Sequence, residues 1–179
     1  ACVVTEEMIR VGANFGFAVH SDMVSPYLVH YGSEALKQRL LPRLCAGEIV
    51  GAIAMTEPGT GSDLKNIRTR AVRDGDHYVV SGQKVWITNG VNCGVVLVAC
   101  KTNPDAGAKG VSLIAVEEGT PGFGKSAPMD KIGLKAQDTA ELFFDDVRVP
   151  AANLVGEVGR GFVYLMQQLP QERLVIAVR

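Results

Sequence analysis

The sequence predicts an α+β fold made of a helical segment, an antiparallel β-barrel or sandwich, and a second helical segment. Apolar residues recur at helical spacing in residues 1–48, whereas residues 49–150 contain short apolar runs separated by turn residues. A helical pattern returns in residues 151–179. Because helices and strands are segregated instead of alternating as βαβ units, this order argues against a Rossmann fold.

Two helices are predicted in the first segment. Thr5 is a candidate N-cap of the first helix, since its hydroxyl can accept a hydrogen bond from the first turn. Pro26 is expected to interrupt the helical pattern, and residues 34–41 to form the second helix. Gly47 is a candidate stop signal, because glycine readily adopts the left-handed conformation that ends many helices.

The central segment predicts short, evenly spaced strands, which favour an antiparallel barrel or sandwich. The clearest signal is a hairpin with its turn at residues 74–76. The predicted strands are residues 49–55, 71–73, 77–80, 84–88, 95–100, 111–116 and 141–147. Pro150 ends this region, and residues 161–179 are predicted to be helical, with a break or a new start at Pro170.

The end of the chain lacks the features of a finished helix. The pattern stops at Arg179 without a C-terminal capping residue. A helix that ends in this way lacks its continuation or its packing partner. We therefore expect these 179 residues to be a fragment of a longer protein.

The charge of the chain is nearly balanced, with 18 lysines and arginines against 19 acidic residues. This balance gives no broad attraction to nucleic acid or anionic membranes, so neither is expected as a partner. No apolar run approaches the roughly 20 residues that span a bilayer, and no secretory signal pattern is present. The four cysteines and three histidines are scattered, so we expect free thiols and no metal site.

A turn rich in glycine and hydroxyl side chains follows the first predicted strand, in the run Met-Thr-Glu-Pro-Gly-Thr-Gly-Ser-Asp-Leu of residues 55–64. Glycines let a ligand approach the backbone, and hydroxyl and free N–H groups can bind its polar oxygens. The run is not a Walker loop, since Gly-Lys-Ser/Thr is absent. Composition alone favours the alternative, a plain surface loop.

The single tryptophan, Trp86, lies at a strand end in the run Lys-Val-Trp-Ile-Thr-Asn-Gly of residues 84–90. An indole ring at this position could cover an aromatic cofactor. The alternative is a core tryptophan before a type I′ turn at Asn89 and Gly90, and the segment alone favours that alternative.

Together, the two segments resemble the flavin-binding signatures of the acyl-CoA dehydrogenase family, in the family's order and spacing. The resemblance continues through residues 130–144, 156–162 and 169–174. It covers nearly the whole chain, and several separated motifs in the right order argue against chance similarity. The likeness is greatest to the long-chain branch of the family.

The resemblance implies three domains and an activity. Residues 1–48 would end an N-terminal helical domain, residues 49–150 form a middle β domain, and residues 151–179 begin a C-terminal helical domain. The implied activity is FAD-dependent oxidation of acyl-CoA to trans-2-enoyl-CoA in fatty-acid β-oxidation, with electrons passed to electron-transfer flavoprotein. The resemblance also implies a homo-oligomer, a tetramer or dimer, in the bacterial cytoplasm or the mitochondrial matrix.

The resemblance assigns residues of both signatures to the flavin. Thr56 would hydrogen-bond the ring, Trp86 and its neighbours would cover it, and the Thr88 hydroxyl would lie near N5. Ser62 would also contact the acyl-CoA. The implied flavin-binding set is Met55, Thr56, Gly61, Ser62, Trp86, Ile87 and Thr88.

Glu172 is the candidate catalytic base. The long-chain and isovaleryl branches carry the base on the helix that residues 169–174 resemble, whereas many family members carry it in the C-terminal domain. Without the resemblance, a glutamate in a first helical turn is normally a stabilising charge. Arg173 is assigned to substrate binding or positioning. The implied substrate-binding set is Ser62, Pro170, Gln171, Glu172 and Arg173.

Two other functions are compatible with the same motifs. An acyl-CoA oxidase has the same architecture but gives its electrons to oxygen. A non-catalytic relative could serve as an acyl-CoA-binding module, although the intact flavin segments and Glu172 argue against it. Oxygen consumption separates the first two functions, and bleaching of a flavin spectrum by acyl-CoA separates both from the third.

Overall fold

The computed structural model describes residues 2–13 and 16–178. Asn14 and Phe15, within the predicted helical segment, lie outside the described residues. The N-terminal elements are helix α1 (Cys2–Arg10), a π-helix (Val19–Val24), helix α2 (Ser25–Tyr31) and helix α3 (Glu34–Cys45). Ser33 caps α3 by accepting a hydrogen bond from the N–H of Leu36 at 3.2 Å.

The structure confirms one of the helix signals in the sequence and contradicts two others. Gly47, with φ of +72°, follows α3 and confirms the predicted stop. Pro26 lies in the first turn of α2, where proline requires no hydrogen-bond partner, so the helical path continues from the π-helix instead of breaking. The prediction of Thr5 as an N-cap is wrong, because α1 already includes Cys2 and Thr5 is buried within this helix.

Eight strands of the described chain form one sheet, and every predicted strand is represented in it. The strands are β1 (Val50–Ala54), β2 (Arg70–Asp74), β3 (His77–Thr88), β4 (Cys93–Lys101), β5 (Val111–Glu117), β6 (Phe123–Lys125), β7 (Thr139–Pro150) and β8 (Leu154–Val155). Their order is β6-β7-β3-β2-β4-β5-β8, with β1 paired to β4. The short strands β6 and β8 have no counterpart in the sequence prediction, and residues 77–80 and 84–88 belong to one continuous strand.

The sheet is mixed rather than purely antiparallel. Most neighbouring strands are antiparallel, as predicted, but β1 and β4 pair in parallel from Gly51 with Val95 to Ala54 with Val98, and β2 and β4 pair in parallel at Arg70 and Lys101. The segment of residues 55–69 explains this difference, because it carries the chain back to the start of β2 without reversing the strand direction.

Strand β4 is buried on both faces and separates two apolar clusters. Val95 and Leu97 face a cluster shared with α2 and α3, whereas Val96 and Val98 face a second cluster that brings β3 and β7 against β4 and β5. Burial of both faces explains the nearly continuous apolar run in this part of the sequence. Helices therefore cover one face of the sheet, and strands enclose the other, as the predicted fold requires.

Helix α4 (Gly161–Ala177) continues through Pro170, so the predicted break at this residue is wrong. Proline at this position removes the hydrogen bond to the Met166 carbonyl. Because Pro170 and Met166 are both exposed, water can replace the missing donor. The buried face of the helix, with Leu165 and Val175, packs against the π-helix, α2 and β5.

Candidate active site

The two segments singled out in the sequence meet at one cavity of about 280 Å³. The first segment follows β1, and the second lies at the end of β3. Met23 of the π-helix and Ile176 of α4 also line the cavity. The residues of the predicted flavin set that line it are Met55, Thr56, Trp86, Ile87 and Thr88.

The first segment is held by backbone hydrogen bonds. The N–H of Val85 donates to the Thr56 carbonyl at 3.0 Å, and Glu57 and Thr60 exchange two backbone bonds of 2.8 and 3.1 Å. Gly61 and Ser62 are exposed in the outer part of the loop and do not line the cavity. The loop therefore presents Thr56 to the cavity and Gly61 and Ser62 to the outside.

Trp86 is displaced from the regular path of β3 by a β-bulge. The pairing with β7 shifts between Lys84 and Ile87, and Trp86 has φ of 61°, a conformation rare for a bulky residue. Its side chain is 64% exposed, so the alternative of a core tryptophan is wrong. Strained backbone that carries an exposed aromatic ring beside a cavity is typical of a ligand site.

The hydroxyl of Thr88 has one defined partner at the cavity. The side-chain amide of Gln137 donates to Thr88 Oγ1 at 3.2 Å, which leaves the hydroxyl proton of Thr88 able to donate to another acceptor. The adjacent Asn89 donates to the carbonyls of Gly16 and Gly51 at 3.0 and 3.1 Å. These bonds fasten the end of β3 to the helical segment and to β1.

Glu172 lies on the buried face of α4 and is 5% exposed. Glu172 does not itself line the cavity, but Ile176, one helical turn further along α4, does. The Tyr27 hydroxyl donates to Oε1 of Glu172 at 2.8 Å. Burial raises the pKa of Glu172, and the hydrogen bond from Tyr27 opposes this rise. Such a carboxyl is suited to accept a proton as a general base.

Comparisons with known proteins agree with this arrangement. Residues 52–147 match the protein family described as "Acyl-CoA dehydrogenase, middle domain". Residues 1–48 match the family described as "Acyl-CoA dehydrogenase, N-terminal domain". The chain belongs to the acyl-CoA dehydrogenase family. The resemblance carried by the sequence motifs is thereby confirmed.

Individual acyl-CoA dehydrogenases show how much of such a protein the chain covers. The mitochondrial long-chain specific enzyme of Sus scrofa is 56% identical over 90% of this chain and 38% of its own length. The mitochondrial isovaleryl-CoA dehydrogenase of Pongo abelii is 41% identical over 98% of this chain and 42% of its own length. The crystal structure of an acyl-CoA dehydrogenase from Geobacillus kaustophilus gives a TM-score of 0.96 at 54% identity, covering 99% of this chain and 47% of that one. The chain therefore spans less than half of each.

A buried ion pair supports the loop of residues 55–64, and the sequence prediction did not include it. Lys84 is fully buried, and its Nζ donates to Glu57 Oε1 and to the Met55 carbonyl, each at 2.9 Å. The Glu57 carboxylate also accepts from the backbone N–H groups of Arg68 and Thr69, at 2.6 and 2.9 Å. The pair joins the end of β1, the following loop and β3.

Burial and the ion pair with Lys84 shift the pKa of Glu57 in opposite directions. Burial raises the pKa of its carboxyl, but the Lys84 charge and the hydrogen bonds outweigh burial, so the pKa lies below its usual range. Burial lowers the pKa of Lys84, and Glu57 opposes that change. Glu57 is therefore ionised at neutral pH and is balanced by the ammonium group beside it.

The other α4 residues assigned to the substrate lie on the outer side of this helix. Pro170, Gln171 and Arg173 are exposed, whereas Glu172 between them is buried. Neighbouring residues of a helix face different directions, which explains why Glu172 is buried and the residues beside it are exposed. The role of Pro170, Gln171 and Arg173 in binding acyl-CoA remains a prediction.

Further groups that could carry chemistry have structural partners. His20 accepts from the N–H of Gly51 at 3.0 Å, and its other ring nitrogen lies 3.1 Å from the Leu44 carbonyl, so it fastens the π-helix to β1. The described residues contain no group of three or more His, Cys, Asp or Glu side chains that could hold a metal ion. Within the same residues, no helix has the length and apolar character needed to cross a membrane. Cys45, Cys93 and Cys100 are free thiols.

Proposed function

We propose that these residues are part of a longer FAD-dependent acyl-CoA dehydrogenase that converts acyl-CoA thioesters to trans-2-enoyl-CoA. The observation that supports this function best is the position of Glu172, a buried carboxyl one helical turn from a residue of the cavity that both flavin segments line. We propose fatty-acid β-oxidation as the process and electron-transfer flavoprotein as the acceptor. The proposed parts of its three domains are residues 1–48, 49–150 and 151–179.

The lining of the cavity fits a flavin ring. Such a ring is flat and largely apolar on its faces, with polar atoms at its edges, so it needs an apolar cover and a few hydrogen-bonding groups. The indole of Trp86, with Met55 and Ile87, supplies the cover, and Thr56 and Thr88 supply hydroxyl groups. Backbone groups of the glycine-rich loop can bind the polar remainder of the cofactor.

The chain's own residues have distinct roles in the proposed reaction. Glu172 accepts the α-proton of the acyl-CoA, since its buried carboxyl has a raised pKa. Thr88 would donate a hydrogen bond from its hydroxyl to flavin N5, and Trp86 would shield the ring from water. When bound, FAD supplies the hydride acceptor for the β-hydrogen.

Substrate contacts and assembly complete the proposal. Gly61 and Ser62 lie in the exposed part of the loop, where both are assigned to the cofactor and Ser62 also to acyl-CoA. Pro170, Gln171 and Arg173 are assigned to acyl-CoA on α4. The full-length protein is proposed to be a homotetramer or homodimer, in the cytoplasm of a bacterium or the matrix of a mitochondrion.

Anaerobic titration of the full-length protein with acyl-CoA esters of increasing chain length tests this function. The flavin absorbance is expected to bleach with accepted esters, and the response across the series identifies the preferred chain length. Reoxidation by electron-transfer flavoprotein, with little oxygen consumption, is expected of a dehydrogenase. Rapid oxygen consumption by the reduced protein would identify an oxidase. Failure of every ester to bleach protein that holds FAD would contradict both activities.

Replacing Thr88 by valine is expected to slow flavin reduction by about 5–10-fold, the effect of losing a hydrogen bond of about 1 kcal/mol. Valine keeps the branched shape of the side chain, so folding should be little affected. Stopped-flow absorbance with saturating acyl-CoA measures the rate. Thr120→Val is the matched control, because it removes a half-buried hydroxyl that donates to the Glu117 carbonyl at 2.7 Å. An unchanged rate in the Thr88 variant would place this hydroxyl away from N5.

A further inference from the structure

Tyr27 contacts Glu172 where α2 packs on α4, although 145 residues separate the two in sequence. The Tyr27 side chain is fully buried, and its hydroxyl lies 2.8 Å from Glu172 Oε1. Burial and the charge of Glu172 raise the pKa of the Tyr27 hydroxyl, so it stays protonated at every working pH. One carboxylate oxygen of Glu172 therefore has a permanent donor.

The position of Tyr27 is fixed by further contacts between the same two helices. Tyr31, one turn along α2, stacks on the ring of Tyr164 at a centroid distance of 4.0 Å. The Tyr31 hydroxyl donates to Gln167 at 2.9 Å and accepts from Gln168 at 3.1 Å. The two tyrosines thus hold α2 against α4 at successive turns, and Tyr27 is the one that reaches the carboxyl.

We propose that Tyr27 is a positioning residue for Glu172, whose carboxylate it orients and keeps ionised for proton abstraction. This inference rests on the proposed function, in which Glu172 takes the α-proton. A carboxyl buried without a donor tends to hold its proton and cannot then act as a base at neutral pH. A hydrogen bond from a neutral hydroxyl stabilises the ionised form and opposes that tendency.

Among the described residues, Tyr27 is the titratable side chain that hydrogen-bonds Glu172. The elements packed against α4 are α2, the π-helix, β5 and the 3₁₀-helix Pro104–Gly110. The other titratable side chains on α2 and the π-helix are His20, Asp22, His30 and Tyr31. Those on β5, the 3₁₀-helix and α4 itself are Asp105, Lys109, Glu117, Tyr164 and Arg173. Burial raises the pKa of Glu172, and the hydrogen bond from Tyr27 lowers it.

The test uses the full-length flavoprotein carrying Tyr27→Phe, which removes the hydroxyl and keeps the ring. Infrared spectroscopy of the substrate-free protein follows the stretch of the protonated Glu172 carboxyl against pH, and Glu172→Gln identifies the band. Loss of the donor is expected to raise the midpoint by about one to two pH units, as for a hydrogen bond to a charged group. The acid limb of the flavin reduction rate should move in the same direction.

Tyr31→Phe is the matched control. It loses the hydrogen bonds to Gln167 and Gln168 on the same helix pair, and the midpoint of Glu172 should stay in place. Incorporation of 3-fluorotyrosine at position 27 is a second test that does not depend on the phenylalanine variant folding. It makes the hydroxyl a stronger donor with little change in packing, so the midpoint should move downward.

Failure of this inference and failure of the proposed function give different results. If Glu172→Gln still reduces flavin rapidly with acyl-CoA, the dehydrogenase activity persists but Glu172 is not its base, and the inference is overturned. If no acyl-CoA ester bleaches the flavin of the unmodified protein, the proposed function is overturned. If Glu172→Gln is inactive but neither Tyr27 substitution moves the midpoint, only the inference is overturned. Tyr27 would then have a packing role alone.

Discussion

Replacing Glu172 by glutamine in the full-length protein is expected to slow flavin reduction by acyl-CoA by about 10²–10⁴-fold, the usual contribution of a positioned general base. Glutamine has nearly the same shape and can still accept a hydrogen bond from Tyr27, so fold, FAD content and acyl-CoA affinity should persist. Proton abstraction should not, because an amide is a very weak base. Anaerobic stopped-flow measurement of flavin bleaching gives the rate.

Two controls isolate the chemical step in this variant. Dithionite reduces the flavin without removing an α-proton, so its rate should match that of the unmodified protein. Glu157→Gln, at an exposed position before α4, removes the same charge away from the cavity and should leave acyl-CoA reduction unchanged. Bleaching near the normal rate in Glu172→Gln would mean that the base lies elsewhere, in a part of the protein beyond these 179 residues.

The elements that carry the cavity could be predicted because their signals are local. The hairpin turn at residues 74–76 pairs β2 with β3 from Arg70 with Ser81 to Asp74 with His77. Gly75 in this turn has φ of 59°, which glycine adopts at little cost. The motif positions likewise follow strand ends, so residues 55–64 and 84–90 could be assigned to loops and strand termini from their own composition.

The buried position of Lys84 could have been predicted from the sequence, but the prediction divided β3 into two separate strands. Tyr78, Val80 and Lys84 occupy alternate positions of this strand and are all buried. Treating residues 77–80 and 84–88 as separate strands loses this register. A lysine at an inward position requires an opposite charge, so a continuous β3 would have predicted a carboxylate partner such as Glu57.

Other features depend on packing between distant parts of the chain. The contact between Tyr27 and Glu172 spans 145 residues and exists only because α2 lies on α4. The local preference of Pro170 favours a helix break, but burial of Leu165 and Val175 on either side holds one helix together. No pattern within a single segment carries this information.

Replacing Lys84 by methionine is expected to destabilise the full-length protein by about 3–5 kcal/mol, the usual cost of leaving one member of a buried ion pair without its partner. Methionine fills a similar volume but donates no hydrogen bond. The Glu57 carboxylate would keep its bonds to the N–H groups of Arg68 and Thr69 but lose its balancing charge. The urea midpoint, followed by intrinsic and flavin fluorescence, measures the loss.

Two further variants test whether the loss of stability in Lys84→Met comes from the unpaired buried charge or from the loss of a lysine side chain alone. Lys37→Met removes a lysine whose partner, Glu34, has a side chain 79% exposed, so it should cost less than about 1 kcal/mol. The double variant Glu57→Gln/Lys84→Met contains no buried charge and should be more stable than Lys84→Met alone. If the double variant were the less stable of the two, the pair would not act through charge balance.

The destabilisation by Lys84→Met should also shrink as the pH falls. In the unmodified protein the pKa of Glu57 is lowered, so its contribution to stability is present above the unfolded glutamate pKa of about 4.3 and disappears as the pH falls through the lower folded value. In the variant, burial without Lys84 should raise this pKa, and protonation then relieves the unpaired charge. The difference between the urea midpoints of the two proteins should therefore be larger at pH 7 than at pH 5. A difference that does not change with pH would contradict an ionised Glu57.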